Sequence, residues 1–279
     1  MTDIAERPAA SVWPGLFAAM RRLGGRHGGP WIGWILPVVT IVAWQASASL
    51  GWTTDTVAPS PCEVAAAAWR LTLSGELPQN LVVSALRALA GLVVGGGIGL
   101  ALGLLNGLSR LSFSVTDTSV QMIRNVPHLA LIPLVIVWFG IDEGAKLFVV
   151  ALGVFFPIYL NTLHGVRSID PQLVEMAGSY GFRGWPLFRR VIWPGALSSI
   201  LVGLRFALGV MWLTLIFAET IAAQSGIGYM AMQAREFMQT DVIVLSILLY
   251  AFLGKGADSL VKVLERWQLG WRPALQGPQ

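Results

Sequence analysis

Gly91, Gly95, Gly99, Gly103 and Gly107 recur at strict four-residue intervals inside residues 81–108, an apolar run. Residues four apart share a helix face, so one side of this segment carries no side chains at all. In water such a helix would have little to bury; in lipid a bare ridge lets a second backbone approach closely, and close packing replaces the missing hydrophobic drive. The ridge therefore predicts a membrane helix packed against another helix, either in the same chain or in a second copy. A nucleotide-binding glycine loop is the rival reading. It fails because no strand precedes these glycines and they sit in the middle of the run.

The rest of the chain supports a membrane setting. Hydrophobic residues are 55% of the 279 and charged residues only 12%, which fits an all-α polytopic membrane protein better than a soluble domain. Six runs are long enough, or nearly so, to cross ~30 Å of hydrocarbon at 1.5 Å per residue: residues 31–52, 81–108, 118–140 (interrupted at Pro127), 147–163, 195–218 and 242–254. Residues 53–80 and 219–241 read as external segments, residues 1–30 as a cytoplasmic tail without the apolar core of a secretory signal, and residues 255–279 as a second cytoplasmic tail. The membrane unit is thus 31–254.

Cations near span ends set the orientation. Arg7, Arg21, Arg22, Arg26, Arg110, Arg167, Arg183, Arg189, Arg190, Lys255, Lys262, Arg266 and Arg272 fall on one side, against Arg70, Lys146 and Arg235 on the other. Both termini are predicted inside. The net charge of +4 belongs to this asymmetry, and no basic-aromatic stripe on a soluble face suggests nucleic-acid binding.

A polar and basic island inside the apolar chain spans residues 168–194. Asp170 can cap a helix opened by Pro171, with Leu173, Ala177 and Tyr180 on one apolar face. Gly181 is placed to turn the chain in a left-handed conformation, and Pro186 can open a second short arm that stops before Pro194. That arm carries Arg183, Arg189 and Arg190 among Phe182, Trp185, Leu187 and Phe188. Charge alone also fits a loop that meets lipid headgroups.

This elbow resembles the cytoplasmic signature of ABC-importer permeases, in which Glu-Ala-Ala is followed by a glycine and then by Ile-x-Leu-Pro. Glu175, Ala177, Gly181, Val191 and Pro194 match it, while Met176 stands for the first alanine and Trp193 for the leucine. The resemblance spreads over roughly residues 80–270 and is greatest to the aliphatic-sulfonate branch of the nitrate/sulfonate/bicarbonate/taurine group. It implies a type I importer permease in a bacterial inner membrane, working by alternating access. Its implied partners are two copies of an ATP-binding cassette subunit, an extracytoplasmic substrate-binding protein and a second copy of the chain. The coupling surface would be Glu175, Met176, Ala177, Gly181, Arg189, Arg190, Val191 and Pro194.

No zinc-type histidine pair, phosphate-binding lysine motif or serine elbow is present, and a single cysteine, Cys62, makes no intrachain disulfide. No enzyme activity, cofactor or metal is predicted. Ionisable residues inside spans are functional candidates by default, and here they are Arg87, Arg124, His128 and Arg205. An anion pathway wants donors that stay protonated, which arginine supplies; Arg87 and Arg124 lie near span ends and could instead snorkel. An ion-coupled secondary transporter is the alternative class, disfavoured by the absence of an inverted repeat with acidic coupling sites. A membrane enzyme ranks third, since no paired catalytic residues occur.

Overall fold

The computed structural model describes residues 32–52 and 58–268, so the expected N-terminal tail and the last residues of the chain lie outside the described part. Among the described residues there is no strand. The helices are α1 (Ile32–Ser49), α2 (Pro61–Leu73), α3 (Glu76–Leu108), α4 (Arg110–Arg124), a 3-10 turn (His128–Leu131) running into α5 (Ile132–Phe139), α6 (Glu143–Arg167), α7 (Pro171–Ser179), α8 (Trp185–Leu187), α9 (Trp193–Ala222), α10 (Ile227–Glu236) and α11 (Thr240–Gln268).

Among the described residues, four helical stretches are long and apolar enough to cross a membrane: Glu76–Leu108, Glu143–Arg167, Trp185–Ile221 and Thr240–Gln268. Arg110–Arg124 and His128–Phe139 form a fifth candidate, bent by 79° at the break that Pro127 predicts. α4 begins beside the C-terminal end of α3 and α5 ends where α6 begins, so the pair runs from one end of the bundle to the other. The expected first span is present as an apolar helix over Ile35–Ser49, shorter than the other four.

α6 is the axle of the molecule, the most buried of the long helices. On one side it lies parallel to α3, and the glycine ridge is the contact. A Cβ on Gly91 would meet Val150, one on Gly95 the Ala151 backbone, one on Gly99 the Phe155 carbonyl at 2.6 Å, one on Gly103 Thr162, and one on Gly107 Val166. The ridge thus packs within one chain, which decides between the two placements its sequence allowed. On its other side α6 runs antiparallel to α9, with Gly153 against Val210 and Thr214, Gly203 against Pro157 and Asn161, and Gly165 against Ala196 and Ser199. Ala88, Val150, Val154, Ile158, Ala207, Leu208, Met211, Leu215 and Val261 fill the core where the three helices meet α11. A smaller core of α2, α10 and α11 residues, including Val64, Ile227, Met230 and Leu245, closes the Glu143 end.

The second and fourth spans are longer than their apolar runs, beginning at Glu76 and Glu143, and three further boundaries differ from the sequence expectation. The arm opened by Pro186 does not stop before Pro194: α8, a π turn (Phe188–Ile192) and α9 form one continuous rod. Pro194 has no N–H and its ring would strike the carbonyl of Arg190 in a regular helix. The wider turn, with the Trp193 N–H reaching the Phe188 carbonyl, makes room for it. The fifth span extends beyond Ala218 to Ala222, which brings Glu219 inside the helix. The sixth does not end at Gly254: α11 continues to Gln268, so Lys255, Lys262 and Arg266 stand on a helix.

Gly97 and Gly99 separate packing from propensity. Among the described residues, and its own turn of helix aside, no atom lies within 4 Å of a Cβ built on Gly97. Gly97→Ala is expected to leave the melting temperature unchanged or raise it, because alanine gains up to ~1 kcal/mol over glycine in a helix. Gly99→Ala forces a methyl group onto a backbone carbonyl and is expected to lower it by several degrees. Fluorescence-detected melting of the purified protein in detergent checks both; equal shifts would mean that the ridge is not the contact.

Candidate functional site

The first arm and the turn of the elbow are built as the sequence suggests, and no other described residues cover its open face. The Asp170 carboxylate accepts from the Gln172 N–H at 2.9 Å and Pro171 opens α7. Gly181 has φ of +83°, and the Phe182 N–H returns to the Ala177 carbonyl at 3.0 Å, closing the helix end. Of the predicted apolar face only Ala177 is buried; Leu173 and Tyr180, the latter 78% exposed, are open, as are the neighbouring Met176 and, at 68%, Trp185. Trp185 stacks on Phe188 at 5.3 Å and the Arg190 guanidinium lies 5.1 Å over the Phe182 ring. The second arm therefore holds its shape while Arg189 and Arg190 stay exposed. Glu175 is exposed and has no ion-pair partner among the described residues. Val191 and Pro194 sit half-buried on the π turn and the start of α9, so motion of the elbow passes directly into a membrane helix.

At the Glu143 end lies a buried charge network that the sequence reading did not assemble. Arg87, expected to line a path or snorkel, is 8% exposed. Its Nε and Nη2 donate to Glu143 at 2.6 Å each, and its Nη1 donates to Glu219 at 2.8 Å and to the Ser225 carbonyl at 2.5 Å. Glu219, assigned from sequence to an external segment, has no exposed side-chain surface. Its carboxylate also accepts from Ser84, from the Gly228 N–H at 3.0 Å and from the Tyr250 hydroxyl at 3.1 Å. Lys146 donates to Glu143 at 2.9 Å, so two cations face two carboxylates. Asn80 and Ser84 accept the N–H groups of Gly226 and Ile227. Gly226, at φ +112°, has no room for a side chain because the Glu219 carboxylate occupies it. The pair Gly226 and Gly228, following Glu219 so closely, was the signal available in the sequence.

The remaining intramembrane candidates fall in separate places. Arg205, which has no acid near it in sequence, meets two from α11: its Nη2 donates to Glu265 at 2.6 Å, and its Nε lies 3.3 Å from Asp258 without hydrogen-bond alignment. Lys262 joins Asp258 at 3.0 Å. His128 is half-buried at the break of the bent span, its Nε2 3.3 Å from the Thr214 hydroxyl. Arg124 is exposed one residue before the break. A further polar cluster pins the Arg167 end, where Asn106 donates to Thr116 and Tyr159, and Arg167 lies 3.6 Å over Phe113. Among the described residues no cluster of His, Cys, Asp and Glu could hold a metal ion.

A family profile described as "Binding-protein-dependent transport system inner membrane component" matches residues 95–269. The chain belongs to this family of inner-membrane permeases. It is 62% identical over 241 residues to the "Putative aliphatic sulfonates transport permease protein" of Escherichia coli (strain K12), covering 86% of this chain and 92% of that one. The protein of the same name from Bacillus subtilis (strain 168) is 44% identical over 260 residues, covering 93% and 94%. The "Taurine transport system permease protein" of Escherichia coli (strain K12) is 34% identical over 245 residues, covering 85% and 88%. The fold is similar to that of a chain in the crystal structure of an amino acid ABC transporter, with a TM-score of 0.57 at 18% identity over 71% of this chain and 97% of that one.

The permease is therefore the membrane-spanning subunit of an ABC importer, lodged in the inner membrane through several helices. ATP is hydrolysed in a separate subunit, and a substrate-binding protein and a dimeric assembly are implied by the family. In that setting the Arg87–Glu219 network ties α3, α6, α9 and α11 of the permease together at one end. A buried charge that loses its partner is strongly destabilising, by ~3–5 kcal/mol, because the desolvation cost remains. Glu219→Gln and Arg87→Met are each expected to lower the melting temperature sharply. The double variant is expected to lose clearly less than the sum of the two, since neither charge is then orphaned. Strict additivity in a double-mutant cycle on the purified permease would show that the two groups are not coupled.

Proposed function

We propose that this permease imports an aliphatic sulfonate, delivered by an external binding protein and moved by alternating access as two ATPase subunits close. The observation that carries the substrate class is the identity with two permeases named for aliphatic sulfonates, 62% and 44%, each covering most of both chains. The taurine permease, also a transporter of a small sulfonate by its name, is related at 34%.

The elbow is where the ATPase docks. Its open apolar face, Leu173, Met176 and Tyr180, flanked by Trp185 and the cations Arg189 and Arg190, has the mixture of aromatic, methionine and arginine surface that protein interfaces favour. The cation asymmetry supports an orientation with the elbow and both termini in the cytoplasm and the Arg87 network at the external end. Six spans, counting α1 and the bent pair as one each, give the even number that such an arrangement needs. Two ATPase subunits require two elbows, and one chain supplies one, so two copies of the permease form the channel.

Proteoliposomes containing the complete complex are expected to accumulate labelled alkanesulfonate only when ATP inside and loaded binding protein outside are both present. Uptake driven by an ion gradient without ATP would overturn the assignment. Within the same preparation Gly181→Val is expected to insert normally yet lose substrate-stimulated ATPase activity. A β-branched residue at φ +83° is strained by ~1–2 kcal/mol and redirects the second arm, although a Cβ there meets no neighbouring atom among the described residues. Retention of full stimulation would remove the elbow as the coupling site.

A further inference from the structure

The bent span places polar groups where lipid cannot satisfy them. Gly153 lies ten residues into α6 and Thr214 eight residues before the end of α9. At 1.5 Å per residue both are ~12 to 15 Å from the Glu143 end, about halfway through ~30 Å of hydrocarbon. His128 touches Thr214 and lies beside Gly153, so the break in the bent span is at the same depth. There Arg124, Asn125, Val126 and Pro127 are all exposed and the helical hydrogen-bond pattern is interrupted. Irregular backbone at membrane depth is tolerated where protein covers it or where it borders water, not against lipid.

We propose that this break borders the aqueous path through the membrane, and that Arg124 and His128 form a mid-membrane contact for the sulfonate group in transit. The inference rests on the anion-import reading above. Both side chains can donate to an anion. Thr214 is a positioning residue: it is fully buried, and its hydroxyl at 3.3 Å from Nε2 fixes the imidazole. Gly153 provides the room for that contact, since a Cβ on it would come within 2.8 Å of the Thr214 oxygen and 3.4 Å of Nε2. Three elements thus converge at one histidine: the bent span that carries it, α6 at Gly153 and α9 at Thr214. The other two clusters differ, because Arg87 and Arg205 are already paired with carboxylates.

Thiol accessibility tests this in the whole complex in proteoliposomes, using Cys62→Ser as the background. Val126→Cys stands at the break and Val137→Cys on the open apolar side of α5. A charged, water-soluble thiol reagent needs a hydrated thiolate. It is expected to modify Val126→Cys at least tenfold faster than Val137→Cys. An unreactive Val126→Cys, as when a second copy covers the break, or equal rates at the two positions, would overturn the water-facing assignment. With ATP and binding protein loaded with alkanesulfonate, modification is expected to slow several-fold relative to unloaded binding protein. Adding His128→Gln or Thr214→Val is expected to abolish that protection while the labelling itself persists, and Thr214→Ser to restore it. Protection unaffected by His128→Gln and Thr214→Val would overturn the contact. Protection by nitrate in place of alkanesulfonate would sustain the contact and remove the proposed substrate; protection by no anion would remove the contact.

Discussion

Everything in this permease depends on how closely α3 can approach α6. Lipid tails are as apolar as leucine, so two membrane helices gain nothing by hiding hydrophobic surface from each other; they gain from packing and from polar contacts. Five glycines spaced four apart let α3 lie against the α6 backbone along its length, from Val150 to Val166. A second set, Gly153, Gly165 and Gly203, does the same between α6 and α9. With backbones this close, short polar side chains reach across, and each end of the bundle is closed by such groups. Asn106, Thr116 and Tyr159 join at one end; Arg87, Glu143, Lys146 and Glu219 join at the other.

That distribution suits a machine that has to move. The Glu143 end is fastened by ion pairs among three helices, the Arg87–Glu219 pair buried, and by a hydrogen bond from Tyr250 of α11, and separating a buried pair is costly. The elbow at the opposite side is fastened by little: a cap, a left-handed glycine and a ring stack hold its shape, while its apolar face remains open. Because the second arm continues without a break into α9, a push on the elbow is transmitted to a helix packed along α6. The π turn at Phe188–Ile192 is the one irregularity on that route among the described residues of the rod.

Local features were legible in the sequence, and long-range pairings were not. The capping by Asp170, the turn at Gly181, the break at Pro127 and the helical ridge of glycines each follow from residues a few positions apart, and the structure has all four. Glu219 was misplaced for two reasons. A lone carboxylate at the end of an apolar run looks like the start of a loop, and its partner Arg87 lies 132 positions away. Arg205 looked solitary because Glu265 is 60 positions distant. Pro194 looked like a terminator because proline usually ends a helix, and nothing local announces that a wide turn will absorb it. The candidate coupling surface, by contrast, is a contiguous stretch, and its residues could be named before any geometry was known.

The central claim is that the open face of the elbow is where the ATPase subunit engages. A photo-cross-linking amino acid placed at Tyr180, in the assembled complex, addresses it without requiring transport; the same group at Trp138, exposed at the far end of the bundle, serves as the comparison. The account predicts a cross-link to the ATPase subunit from position 180 and none from position 138. An intact complex that gives no ATPase cross-link from position 180 would contradict it.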